Sequence, residues 1–127
     1  MKKILITLAA VALAACSGPA FDPATVADAT AEQVTRVEPL SWWTGMKMPL
    51  QLLVQGENIS EYEVAIEGGK GVAVEKINKA DSPNFLFVDV KIAANAQPGT
   101  YYIVFSKDGQ SFKYPYEIAA REEGSAE

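Results

Sequence analysis

A chain of 127 residues with 49% hydrophobic side chains has room for one small domain and excludes a (β/α)₈ barrel. Its 11 basic and 16 acidic residues give a formal charge of −5, which argues against nucleic acid as a partner, since such binding needs clustered Lys and Arg to displace counterions. With no histidine and one cysteine, the chain lacks the commonest general base and metal ligand and has no disulfide, so neither a metal site nor a cofactor is expected.

The chain opens with Lys2 and Lys3, followed by an uncharged run over residues 4–15 rich in Leu, Ala and Val. The charge followed by an apolar stretch has the form of an export signal. The run is too short for a transmembrane helix, which needs about 20 apolar residues. Leu13, Ala14, Ala15 and Cys16 resemble the bacterial lipobox, in which small residues precede an acylated cysteine. Residues 1–15 are therefore expected to be a signal peptide that is removed, leaving Cys16 as the lipidation site and the membrane as a partner. More than one acyl chain is needed for stable anchoring, at about 0.8 kcal/mol per buried CH₂. The competing expectation, ordinary secretion, rests on the small residues at 10–12. Ser17, rather than an aspartate, follows the cysteine, which points to an outer-membrane lipoprotein on the periplasmic or cell-surface face.

Residues 16–32 are poor in large apolar side chains and interrupted by Pro19 and Pro23, so a flexible tether is expected. Residues 33–121 show short alternating apolar runs broken every eight to twelve residues by Gly, Pro, Asn and Asp, and no stretch there sustains a helical period. Strands are expected at 34–38, at 50–55 with Leu50, Leu52 and Val54 on one face, and at 62–67 with Tyr62, Val64 and Ile66 inward. Further strands follow from Val72, over residues 85–92, and over 101–105. The last is residues 111–119, reached through a hairpin at residues 107–110. Pro115 lies inside that final strand and lacks an N–H, which predicts an edge or a bulge. About seven strands in this rhythm predict an all-β fold, an immunoglobulin-like β-sandwich of antiparallel strands. Residues 122–127 read as a polar tail or truncated linker.

One segment departs from the rhythm. Residues 36–49 hold both tryptophans, Trp42 and Trp43, followed by Gly45, Met46 and Met48. Neighbours on a strand point to opposite faces, so the two indoles cannot both fill one core. Three readings of the second indole stay open: it covers a sheet edge or loop, it meets a protein partner, or it stacks on the C–H face of a sugar ring.

Residues 34–47 (VTRVEPLSWWTGMK), 50–56 (LQLLVQG) and 58–60 (NIS) resemble the N-terminal domain of cyclomaltodextrinase-type enzymes of the α-amylase family. Residues 82–89 (SPNFLFVD), 98–101 (PGTY) and 116–121 (YEIAAR) extend the resemblance over nearly all of 34–121. The Trp-Trp-Thr-Gly-Met-Lys stretch is its most specific part. The turn after Pro49 is one residue shorter than in family members. The resemblance implies a sandwich that precedes a catalytic barrel, in enzymes that hydrolyse α-1,4 bonds of cyclic and linear maltooligosaccharides. Retaining glycosidases work with two carboxylates about 5 Å apart, and the family carries them on the barrel, so no catalytic residue is expected in this chain. The expected role is a non-catalytic accessory module that contacts α-glucan or docks an amylase-family catalytic domain. Trp42, Trp43, Met46, Phe85 and Phe87 are the candidate contacts. The alternative is a lipid-anchored protein-binding or structural lipoprotein with no sugar ligand.

Overall fold

A computed structural model describes residues 21–121. The expected signal peptide, Cys16 and the tail at 122–127 lie outside the described residues. Nine strands run in chain order: β1 (Ala27–Asp28), β2 (Arg36–Glu38), β3 (Ser41–Trp43), β4 (Leu50–Gln55), β5 (Glu63–Glu67), β6 (Val72–Lys79), β7 (Phe85–Ile92), β8 (Gly99–Lys107) and β9 (Gln110–Ala119). Two single-turn 3₁₀ helices, Pro23–Thr25 and Ile59–Glu61, join them.

The strands form two sheets. One has the order β2-β4-β7-β6 and is antiparallel throughout. In the other, β5, β8 and β9 run antiparallel, and the outer edge of β9 takes two short parallel partners, β1 and β3. Leaving aside β1 and β3, this is the A-B-E-D against C-F-G connectivity of an immunoglobulin constant-type sandwich. The expected all-β sandwich is thus the observed fold.

Period-two alternation drives the inward faces together. Leu50, Leu52 and Val54 of β4 pair in register with Val90, Val88 and Leu86 of β7, and all six are buried. Facing them, Tyr101, Ile103 and Phe105 of β8 lie beside Phe112, Tyr116 and Ile118 of β9. The Phe105 and Phe112 rings stack with centroids 5.2 Å apart, and Tyr62 meets Phe112 edge-on at 5.1 Å. Such contacts add about 0.5–1.5 kcal/mol each beyond area burial. Tyr101 stands near the start of β8 and donates its hydroxyl to the Gln97 carbonyl, 2.6 Å away. That is the tyrosine corner of immunoglobulin-like folds, and it fixes the turn into the strand.

The β8–β9 hairpin turns through Asp108 and Gly109, both with positive φ (53° and 81°), as the tight primed turns require. Counting the antiparallel alternation from the closing Lys107–Gln110 pair puts Pro115, opposite Tyr102, at a position whose nitrogen points away from β8. On that outer edge β1 covers Phe112 and Lys113 and β3 covers residues from Glu117 onward, so Pro115 falls in the gap between them. The proline therefore interrupts no ladder hydrogen bond.

One boundary differs from the sequence reading. Described residues within the expected tether are applied to the sheet, because β1 pairs with β9 and Ala29 N–H donates to the Lys113 carbonyl at 2.8 Å. The ordered fold therefore begins before residue 33. Between β2 and β3 the chain crosses from one sheet to the other at Pro39, after a cis Glu38–Pro39 peptide. Tyr116 holds this crossing from below by donating to the Pro39 carbonyl at 2.8 Å.

Candidate functional site

Strand β3 is three residues long and sets the two indoles apart. Trp42 lies opposite Ile118 and packs against the core, whereas Trp43 lies opposite Ala119 and is 41% exposed. Alternation along the strand is the cause. The rings still touch, with centroids 5.7 Å apart and planes tilted by 50°. After Trp43, Thr44 N–H donates to the Ala119 carbonyl at 2.9 Å, and Gly45 turns the chain with φ of 75°. A Cβ at Gly45 would meet nothing within 4 Å, so the glycine is needed for its backbone conformation and not for space.

The segment from Met46 to Pro49 then crosses the end of the sandwich to reach β4. With Trp42 and Trp43 it forms one wall of a groove of about 280 Å³, and Val90, Lys91, Ile92 and Glu75 form the other. Glu75 reaches the rim through a bulge. The β6–β7 register passes from Val74 opposite Val90 to Lys76 opposite Asp89, leaving Glu75 without a strand partner. Beside the groove, Met46, Lys47, Met48 and Arg121 line a second depression of about 380 Å³. Met48 is 57% exposed, so together with Trp43 it leaves apolar surface open where the chain leaves β9.

The structure brings Trp42, Trp43 and Met46 together and leaves Phe85 and Phe87 elsewhere. Both phenylalanines are half-buried on the outward face of β7, opposite Gln55 and Leu53 of β4. At about 3.3 Å per residue, Phe87 stands roughly 10 Å along the strand from Val90, and Phe85 farther still. The same outward face carries Asp89, which accepts from Gln51 Nε2 at 2.7 Å and from Asn78 Nδ2 at 3.3 Å. Phe85 and Phe87 thus belong to a separate polar and aromatic sheet surface, not to the tryptophan groove. Sequence reasoning missed Met48, Glu75 and Lys91. The methionine carried a signal in its position beside Trp43, but the bulge that delivers Glu75 has none in the sequence.

Among the described residues no three His, Cys, Asp or Glu side chains gather in a way that could hold a metal ion, and no helix is long and apolar enough to cross a membrane. The groove offers indole and thioether surface with charged groups at the rim.

The family model for the N-terminal domain of cyclomaltodextrinase matches residues 36–122. The chain belongs to this family. The cyclomaltodextrinase N-terminal match begins at Arg36, the first residue of β2, and ends just past β9, so it includes every strand but β1 and the whole tryptophan groove. Phe21 and strand β1 lie ahead of it.

Proposed function

We propose that this chain is a non-catalytic accessory module that docks an amylase-family catalytic domain through Trp43, Met46 and Met48. The observation that carries the reading is the position of Arg121, which lines the same depression as Met46 and Met48. A domain joined after an N-terminal sandwich of this family would begin beside that apolar surface. An indole 41% exposed next to two methionines is the composition of an interface anchor. With the adjoining depression of about 380 Å³ the groove makes a shallow surface continuous with the exposed Trp43 and Met48, the form of a protein contact.

The test is to mix the purified chain with an amylase-family catalytic domain stripped of its own sandwich and to follow association by sedimentation. Binding that Trp43→Ala weakens by about tenfold or more supports docking. Sedimentation as two separate species discards it.

A second reading, direct contact with α-glucan, is favoured by Glu75 and Lys91 at the rim, which set hydrogen-bonding groups against an indole face. Maltoheptaose should then shift the tryptophan emission, and an unchanged spectrum at saturating sugar removes this reading. We further propose that Cys16 carries the lipid anchor and that the module resides at the outer membrane, on its periplasmic or cell-surface face. The basic start, the apolar run over residues 4–15 and the lipobox-like Leu13 to Cys16 support this. Mass spectrometry of the exported chain reads the acyl chains directly.

A further inference from the structure

We propose that residues 21–28 are a latch that turns the outer face of the β5-β8-β9 sheet toward a zwitterionic lipid surface, with Phe21 and Tyr102 nearest the headgroups; this rests on the reading of Cys16 as acylated.

The latch is visible in the burial of one cation. Lys113 points outward from β9, yet it is 8% exposed, because the chain before β2 lies over it. Its Nζ stands 2.8 Å from Asp28 Oδ1 and donates to the Val26 carbonyl. Strand β1 adds the backbone pairing of Ala27 and Asp28 with Phe112 and Lys113. One turn earlier, Asp22 accepts from Ala24 N–H at 3.0 Å and caps the 3₁₀ helix. Phe21 then rests on Tyr102 with ring centroids 5.8 Å apart. Residues 21–28 themselves lie ahead of the matched family domain, which starts at Arg36. The segment is an addition to the sandwich at the end nearest Cys16.

Chain length does the rest. Cys16 precedes Phe21 by five residues, which span roughly 17 Å at most when fully extended. The two sheets of a sandwich pack about 10 Å apart, and a side-chain layer covers each outer face. A path from Phe21 around an edge to the outward face of β4 and β7 is longer than that leash. The face that carries Gln51, Phe87 and Asp89 is therefore held away from the bilayer. The face on which Phe21 lies carries Tyr102, an aromatic with a polar tip of the kind that settles at membrane interfaces. It also carries Glu63, Glu67 and Glu117, while Asp28 neutralises Lys113. That acidic excess disfavours anionic headgroups and leaves a zwitterionic surface as the compatible one.

The acylated full chain in phosphatidylcholine vesicles with nitroxide headgroups tests the orientation. Its one native thiol carries the lipid, so an introduced cysteine gives a single fluorophore position. Ala65→Cys marks the proposed membrane face and Ala73→Cys the opposite one; both alanines are exposed. We expect at least threefold stronger quenching at residue 65 than at 73. Asp28→Asn, at a side chain 79% exposed, should loosen the latch without unfolding the domain and bring the two signals together. Equal quenching in the unmodified latch overturns the orientation. A chain that carries no acyl mass and does not float with vesicles overturns the anchor, and the inference with it. Weaker quenching contrast in phosphatidylglycerol vesicles supports the assignment to zwitterionic lipid, and stronger contrast overturns that part.

Discussion

Trp43 lies directly across from Ala119 where β3 runs parallel to β9, and Thr44 N–H closes onto the same alanine's carbonyl at 2.9 Å. The most exposed indole of the fold is thereby fixed beside the point where the chain leaves its last strand. Trp42, one residue earlier, is turned into the core by the same pairing.

The two tryptophans should therefore separate stability from recognition. Trp42→Ala removes a ring packed on the core and is expected to cost about 2–3 kcal/mol, read as a lower urea midpoint at unchanged slope. Trp43→Ala should cost under about 1 kcal/mol while removing the partner contact. Equal losses of stability would contradict the assignment of Trp43 to an interface.

Tyr101→Phe deletes the hydroxyl that reaches the Gln97 carbonyl at 2.6 Å. The ring stays in place, so the loss is that of one hydrogen bond, about 1 kcal/mol. Thermal unfolding should show a midpoint lower by a few degrees.

Gly56→Ala is expected to be more damaging than its size suggests. An added Cβ would stand 2.0 Å from the Gln33 carbonyl oxygen and 2.8 Å from its carbon, both backbone atoms that no rotamer change can move. A loss of about 2–3 kcal/mol should follow, and amide exchange should report it first at the neighbouring Thr35–Gln55 hydrogen bond.

Alkaline pH probes the crossing between sheets. Burial pushes the Tyr116 phenol well above its ordinary value of 10, and Tyr114 adds to the shift. Above pH 10 the unfolded chain releases this proton while the folded chain keeps it. The folded state then binds more protons, so stability falls as pH rises. Tyr116→Phe should flatten that decline, at a cost of about 1 kcal/mol near neutrality from the lost bond to the Pro39 carbonyl. Unfolding midpoints measured from pH 8 to 11 supply the comparison.

Much of this architecture is written in local pattern. The expected strand over residues 85–92 coincides with β7, and the alternation of Leu50, Leu52 and Val54 names the buried face of β4. Asp108 and Gly109 announce their hairpin because few residues other than Gly, Asn and Asp tolerate positive φ. Long-range partnerships are another matter. Nothing in the two residues of β1 marks them as a strand, since their order comes from Lys113, more than 80 positions later. Lys113 itself reads as an outward surface charge until the segment that covers it is known. The site divides in the same way. Adjacent tryptophans declared that one must leave the core, while the separation of Phe85 and Phe87 from them depended on the placement of whole strands.

The outer edge of β9 has an implication for folding. Both β1 and β3, among the earliest strands, find their partner only in the final one, with Ala27 meeting Phe112 and Trp43 meeting Ala119. Neither segment can take its place in the sheet until the last strand is present. Completion of this sheet thus joins distant parts of the polypeptide, and topologies of that kind fold slowly. In refolding, these two segments should therefore be the last to gain protection from amide exchange.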